Sequence, residues 1–74
     1  KVTRIAFEIP RETNVRIVIY DVFGRDVSTI LNNDLKAGSY EIKWNASNLD
    51  AGIYYYKIYA DEFVDSKKIL LLKN

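Results

Sequence analysis

Ten carboxylates, from Glu8 and Glu12 near the start to Asp61, Glu62 and Asp65 near the end, are the side chains of this 74-residue sequence best suited to chemistry. They stand alone, because the chain has neither histidine nor cysteine. Without histidine the usual general base and commonest metal ligand are missing, and without cysteine there is no disulfide and no thiolate metal site. Carboxylates alone can hydrolyse a glycosidic bond when two face each other across a cleft. Here Asp21, Asp26, Asp34, Glu41 and the rest fall in turns or on the polar sides of strand-like segments, where water solvates them. The cluster Asp61-Glu62-x-x-Asp65 is dense enough to suggest weak calcium binding but lacks the spacing of a calcium loop. Asp50, just before an Ala-Gly pair, is expected to bond nearby backbone amides, as Asp does in turns. The expectation is of no catalytic residue, no cofactor and no metal.

Ligand binding leaves few further candidates. Tyr55 and Tyr59, with Tyr20, could form an aromatic stripe that stacks on sugars, which makes a carbohydrate-binding or structural accessory module of a secreted enzyme the alternative reading. Tyrosine is also favoured on strands for cross-strand packing, and that reading is preferred. Gly24 with Arg25 is too little glycine for a phosphate cradle and reads as a turn. Asn45-Ala46-Ser47 matches a glycosylation sequon, a short and common pattern. The net charge is +1, with basic and acidic residues interleaved, so no footprint for nucleic acid or an anionic membrane is seen. The longest apolar run, Ile69 to Leu72, is too short to span a bilayer.

The elements that position these residues are strands. Leu35-Lys36-Ala37-Gly38-Ser39-Tyr40 recurs as Leu49-Asp50-Ala51-Gly52-Ile53-Tyr54, and each copy is followed by residues that alternate in polarity. A turn and then a strand explain both, with Gly supplying the turn conformation and period two supplying the faces. In the first unit Tyr40, Ile42 and Trp44 point inward. In the second Tyr54, Tyr56, Ile58 and Ala60 share one face, and Tyr55, Lys57 and Tyr59 the other. Upstream, Ile5, Phe7 and Ile9 alternate in a strand that Pro10 ends. Val15, Ile17 and Ile19 mark a second strand whose other face carries Arg16, Val18 and Tyr20, so it is expected to be covered partly on both sides. Val22-Phe23-Gly24-Arg25 is a turn, Asp26 to Leu31 a shorter strand, and Asn32-Asn33-Asp34 a loop. Asp61-Glu62 reads as a tight hairpin turn before a last strand, Phe63 to Leu72, whose apolar end cannot be assigned faces by alternation.

Nowhere do apolar residues hold a helical spacing for more than about two turns. Six strands at short intervals, at 49% hydrophobic and 14% aromatic content, suffice for one small core. The fold expected is an all-β, antiparallel, immunoglobulin-like sandwich of six to seven strands. Asp50-x-Gly52-x-Tyr54-x-Tyr56 resembles the tyrosine corner of such domains, with Tyr56 where an immunoglobulin has its second cysteine and Trp44 filling the core in place of the bridge. The sequence has no methionine, so residues 1–74 are expected to be a single domain excised from a larger protein.

Taken together, Phe7-Glu8-Ile9-Pro10, the block Val15 to Val27 containing Ile19-Tyr20-Asp21-Val22-Phe23-Gly24-Arg25, Ala37-Gly38-Ser39-Tyr40 with Trp44, Ala51-Gly52-Ile53-Tyr54-Tyr55-Tyr56, and Lys67 to Lys73 resemble one family. It is the type A C-terminal sorting domain of the type IX secretion system, itself similar to the immunoglobulin-like domain of the flagellar hook-capping protein. The resemblance implies a non-catalytic signal at the end of a secreted protein. Its partners would be the outer-membrane translocon, a cell-surface sortase and an N-terminal cargo domain of the same polypeptide. Its location would be the periplasm in transit, then the cell surface or the medium. Carried over residue by residue, the recognised part is the basic-then-apolar ending Lys67, Lys68, Ile69, Leu70, Leu71, Leu72 and Lys73. Family members open with a Tyr-Pro-Asn-Pro-Phe-like segment, and this sequence begins after that point, at Lys1. A first strand carried there would leave a sheet edge open here, through which a dimer could form.

Overall fold

The computed structural model describes residues 2–72. Six strands follow one another: β1 (Val2–Ile9), β2 (Thr13–Tyr20), β3 (Asp26–Leu35), β4 (Gly38–Asn45), β5 (Gly52–Ala60) and β6 (Phe63–Leu71). β1 and β4 form one sheet, and the other has the order β3-β2-β5-β6. Every pairing is antiparallel. The chain therefore passes between sheets at β1–β2, β3–β4 and β4–β5, and turns back within one sheet at β2–β3 and β5–β6. That is an immunoglobulin-like sandwich, the fold expected from strand number and spacing.

The core follows the alternation of each strand. Ile5 and Ile9 of β1, Val15, Ile17 and Ile19 of β2, Trp44 of β4, Tyr56 and Ile58 of β5, and Ile69 and Leu71 of β6 are buried together with Ala46. Trp44 is only 6% exposed and meets Tyr54 edge-on, with ring centroids 6.2 Å apart. Bulky aromatic packing thus fills this part of the core. Burial raises the pKa of the Tyr56 hydroxyl, with the nearby Asp65 carboxylate adding to the effect. Val18 is fully buried on the opposite face of β2 from the core, so β2 is covered on both sides as its composition predicts.

One expectation is overturned. β3 does not end at Leu31 but runs to Leu35, so Asn32, Asn33 and Asp34 are strand and not loop. They pair with Arg16, Val15 and Asn14 of β2. Asn14 Nδ2 donates to Asp34 Oδ1 at 3.1 Å and lies 3.5 Å from Asn32 Oδ1. β3 is the edge of its sheet, so polar side chains there remain in water while the backbone gains a ladder, and pairing outweighs turn propensity. Register shifts between Ile17 and Val18, and between Ile19 and Tyr20, absorb the mismatch. The Asp61-Glu62 turn is as short as expected: Ala60 pairs with Phe63 across it, and Asp61 takes a φ of 59° in place of the usual glycine.

Candidate functional site

The duplicated motif builds the same latch twice. Tyr40 Oη donates to the carbonyl of Lys36 at 2.6 Å, and Tyr54 Oη donates to the carbonyl of Asp50 at 2.9 Å. In both, a tyrosine two residues into a strand reaches back four residues and fastens the turn that leads into it. Gly38 and Gly52, at φ +153° and +148°, supply backbone that side-chain-bearing residues rarely adopt. Tyr54 is thus the tyrosine corner read from the sequence. The matching latch at Tyr40 was missed there, although the repeat itself was the signal for it. Asp50 contributes its carbonyl, not the side-chain bonds to amides that its position suggested.

Asp21 plays the part expected of Asp50. Its Oδ1 accepts the backbone N–H groups of Phe23 and Arg25 at 2.9 and 3.0 Å, and its Oδ2 accepts from Arg25 Nε at 2.9 Å. The Arg25 amide, with the Arg25 side chain and the Phe23 amide, lowers the Asp21 pKa against the opposing effect of burial. A rigid turn results, with Phe23 at its tip in open solvent and Arg25 beside the ring.

The tyrosines proposed for sugars lie on the outer face of the larger sheet, where Tyr20 and Tyr59 are occupied with one another. Tyr20 and Tyr59 hydroxyls are 3.0 Å apart. The Arg16 guanidinium sits 4.2 Å from the centre of the Tyr59 ring and Lys57 Nζ 5.4 Å from that of Tyr20. The hydrogen bond with Tyr59, helped by burial, pushes the Tyr20 hydroxyl up to about 12. A sugar stacking on Tyr59 would have to displace Arg16, whereas Tyr55 is 39% exposed with no cation over it among the described residues.

The acids do not converge. Asp61 pairs with Arg11, and Arg4 lies 3.7 Å from Glu41 in an exposed pair. Among the described residues no group of three or more acids could hold a metal. A mainly apolar cleft of about 440 Å³ runs between the β1–β2 and β5–β6 turns, lined by Ile9, Pro10, Ala60 and Phe63. Glu8, Arg11, Thr13, Asp61 and Glu62 complete its lining.

The apolar ending, which alternation alone could not orient, is divided by the sandwich. Ile69 and Leu71 point inward and are buried; Leu70 and Leu72 are each 63% exposed, and Lys67 and Lys68 are exposed. Lys73 lies outside the described residues. Among those residues β6 is paired on one side only, by β5, so its other edge presents free backbone donors and acceptors. The candidate stretch therefore combines anchoring residues with an exposed strip on an edge strand.

Comparison with known proteins gives one finding. No curated protein and no solved structure matches the chain. The family model described as a secretion system C-terminal sorting domain matches residues 1–72. Domains of this kind are non-catalytic signals read by the type IX secretion machinery, which delivers the proteins carrying them to the cell surface or the extracellular space. The turn at Asp21, both tyrosine latches and the edge strand β6 all fall within the matched residues, and the chain belongs to the secretion system C-terminal sorting domain family.

Proposed function

We propose that residues 1–74 act as one sorting domain at the C-terminus of a larger secreted protein and that the translocon reads the exposed strip of β6. The observation that carries this is the split of the ending. Ile69 and Leu71 are held in the core, while Leu70, on an edge strand unpaired on one side among the described residues, and Leu72, just past the strand, are each 63% exposed. An edge strand with apolar side chains turned outward is an aggregation hazard unless a partner uses it. Lys68 shares the outer face with Leu70, and strand addition gives a receptor main-chain bonds as well as side-chain pockets. The cargo domain lies upstream on the same polypeptide and passes through the periplasm, and a surface sortase removes the sorting domain after export. The domain itself performs no catalysis. A dimer paired through β6 would cover the strip, so the exported form is the monomer.

Deleting Leu70 to Asn74 would remove the buried Leu71 with the strip and confuse unfolding with loss of the signal. Leu70→Ser with Leu72→Ser leaves the core intact. In a host with the type IX machinery, this variant should accumulate as folded, soluble cargo in the periplasm. Normal export of it would sink the assignment.

A further inference from the structure

The exposed apolar residues of the sheet extend beyond β6. Ile53 of β5 lies directly opposite Leu70, and Tyr55 lies opposite Lys68. All four side chains share the outer face, because Tyr54, Tyr56, Ile69 and Leu71 take the inner one. Ile53 is 40% exposed and Tyr55 39%, so the two add apolar surface to that of Leu70. The charge around these residues is one-sided. On β5 and β6 the outer face carries Lys57 and Lys68 and no carboxylate, while Asp26 and Asp34, opposite Tyr20 and Asn14, lie on β3 at the far edge of the sheet. Arg16 and Lys57 lie over tyrosine rings. Lys68, beside the apolar pair, forms no ion pair among the described residues.

We propose that the recognised surface is a two-strand platform, Ile53 and Tyr55 of β5 with Lys68 and Leu70 of β6, and that its occupant is an acidic extended segment of the translocon. This rests on the reading of β6 given above and makes the signal a feature of the folded domain, since only the β5–β6 ladder places Ile53 beside Leu70. An added strand would pair with the free β6 edge, its apolar side chains beside Leu70 and a carboxylate beside Lys68, and a long apolar side chain laid across Leu70 reaches Ile53 one strand further in. An anionic lipid surface could also attract lysines and apolar groups, but it cannot use an open backbone edge. The edge adjoining the patch favours a polypeptide.

The test uses full-length cargo protein in a host with the type IX machinery. Ile53→Ser with Tyr55→Ser is expected to reduce export about tenfold or more, since an apolar side chain lost from an interface is worth on the order of a factor of ten. Lys68→Glu should reduce export and Lys68→Arg should not. A photo-crosslinking amino acid at position 53 of otherwise unchanged protein should link to a translocon component, which keeps the test valid if the double variant folds poorly. If Leu70→Ser with Leu72→Ser blocks export while the Ile53 and Tyr55 variant, folded by circular dichroism, exports normally, the platform is wrong and the β6 reading survives. If neither variant affects export, both are wrong. Crosslinking to lipid, or binding to phosphatidylglycerol vesicles that the double variant loses, would overturn the polypeptide occupant in favour of a membrane.

Discussion

Replacing Trp44 with alanine removes the largest side chain of the core and tests whether the sandwich is held as described. The residue is 6% exposed and meets Tyr54 edge-on at 6.2 Å. Truncating a buried aromatic to alanine costs about 3 to 5 kcal/mol, as lost transfer energy and as the cavity left behind. Loss of the aromatic pair, worth roughly 0.5 to 1.5 kcal/mol beyond area, is contained within that range. A domain of this length has roughly 4 to 11 kcal/mol of stability at about 0.05 to 0.15 kcal/mol per residue. The variant should therefore lie near the edge of folding. Each kcal/mol shifts the melting temperature by about 4 to 8 °C in a domain of this size, so a drop of at least roughly 12 °C is expected. Far-ultraviolet circular dichroism is the assay, followed through both thermal and urea unfolding, because the substitution removes the only tryptophan. Trp44→Phe, which keeps an aromatic ring, should recover a large part of the loss. A cost below about 1 kcal/mol would refute the reasoning, since only a collapsible or exposed site gives so little.

Further outcomes follow from the latches and the shifted groups. Tyr40→Phe and Tyr54→Phe should each cost about 0.5 to 1.5 kcal/mol, and the double variant should be close to their sum, because the two bonds lie in different sheets; urea midpoints measure this. The Asp21 pKa falls below its ordinary 3.8 on folding. The stability it contributes is therefore fully present above 3.8 and is lost as pH falls through the lower folded value. Asp21→Asn should flatten that part of the acid-unfolding curve. Tyr20 moves the other way, from 10.0 to about 12. Its contribution is complete below 10.0 and lost as pH rises toward 12, and Tyr59→Phe should return the Tyr20 titration, followed by tyrosinate absorbance, toward the ordinary value.

Strand identity was legible wherever alternation coincided with a core face. Val15, Ile17 and Ile19, and Tyr54, Tyr56 and Ile58, announce their inward side directly. The Tyr54 corner could be read because its spacing has a geometric meaning. The end of β3 could not, because Asn32, Asn33 and Asp34 have turn chemistry and only their pairing with β2 makes them strand. The faces of Ile69 to Leu72 were equally hidden, since four apolar residues in a row have no period and only the position of β6 in the sandwich separates Leu70 from Leu71. The pairing of Ile53 with Leu70 depends on the β5–β6 register, and that register followed only once the hairpin turn had been placed at Asp61 and Glu62. The function had no signal in composition or charge. It was legible only through the resemblance of several short blocks in order, because a signal read by another protein needs no reactive side chain.

The most direct test of the sorting role is export of a fluorescent cargo fused to this chain with its native upstream segment, in cells with and without a working type IX translocon. Cargo at the surface or in the medium of the first cells and retained in the periplasm of the second is the result expected. A folded fusion that stays in the periplasm of both would contradict the account and leave the chain as a sandwich without a signal.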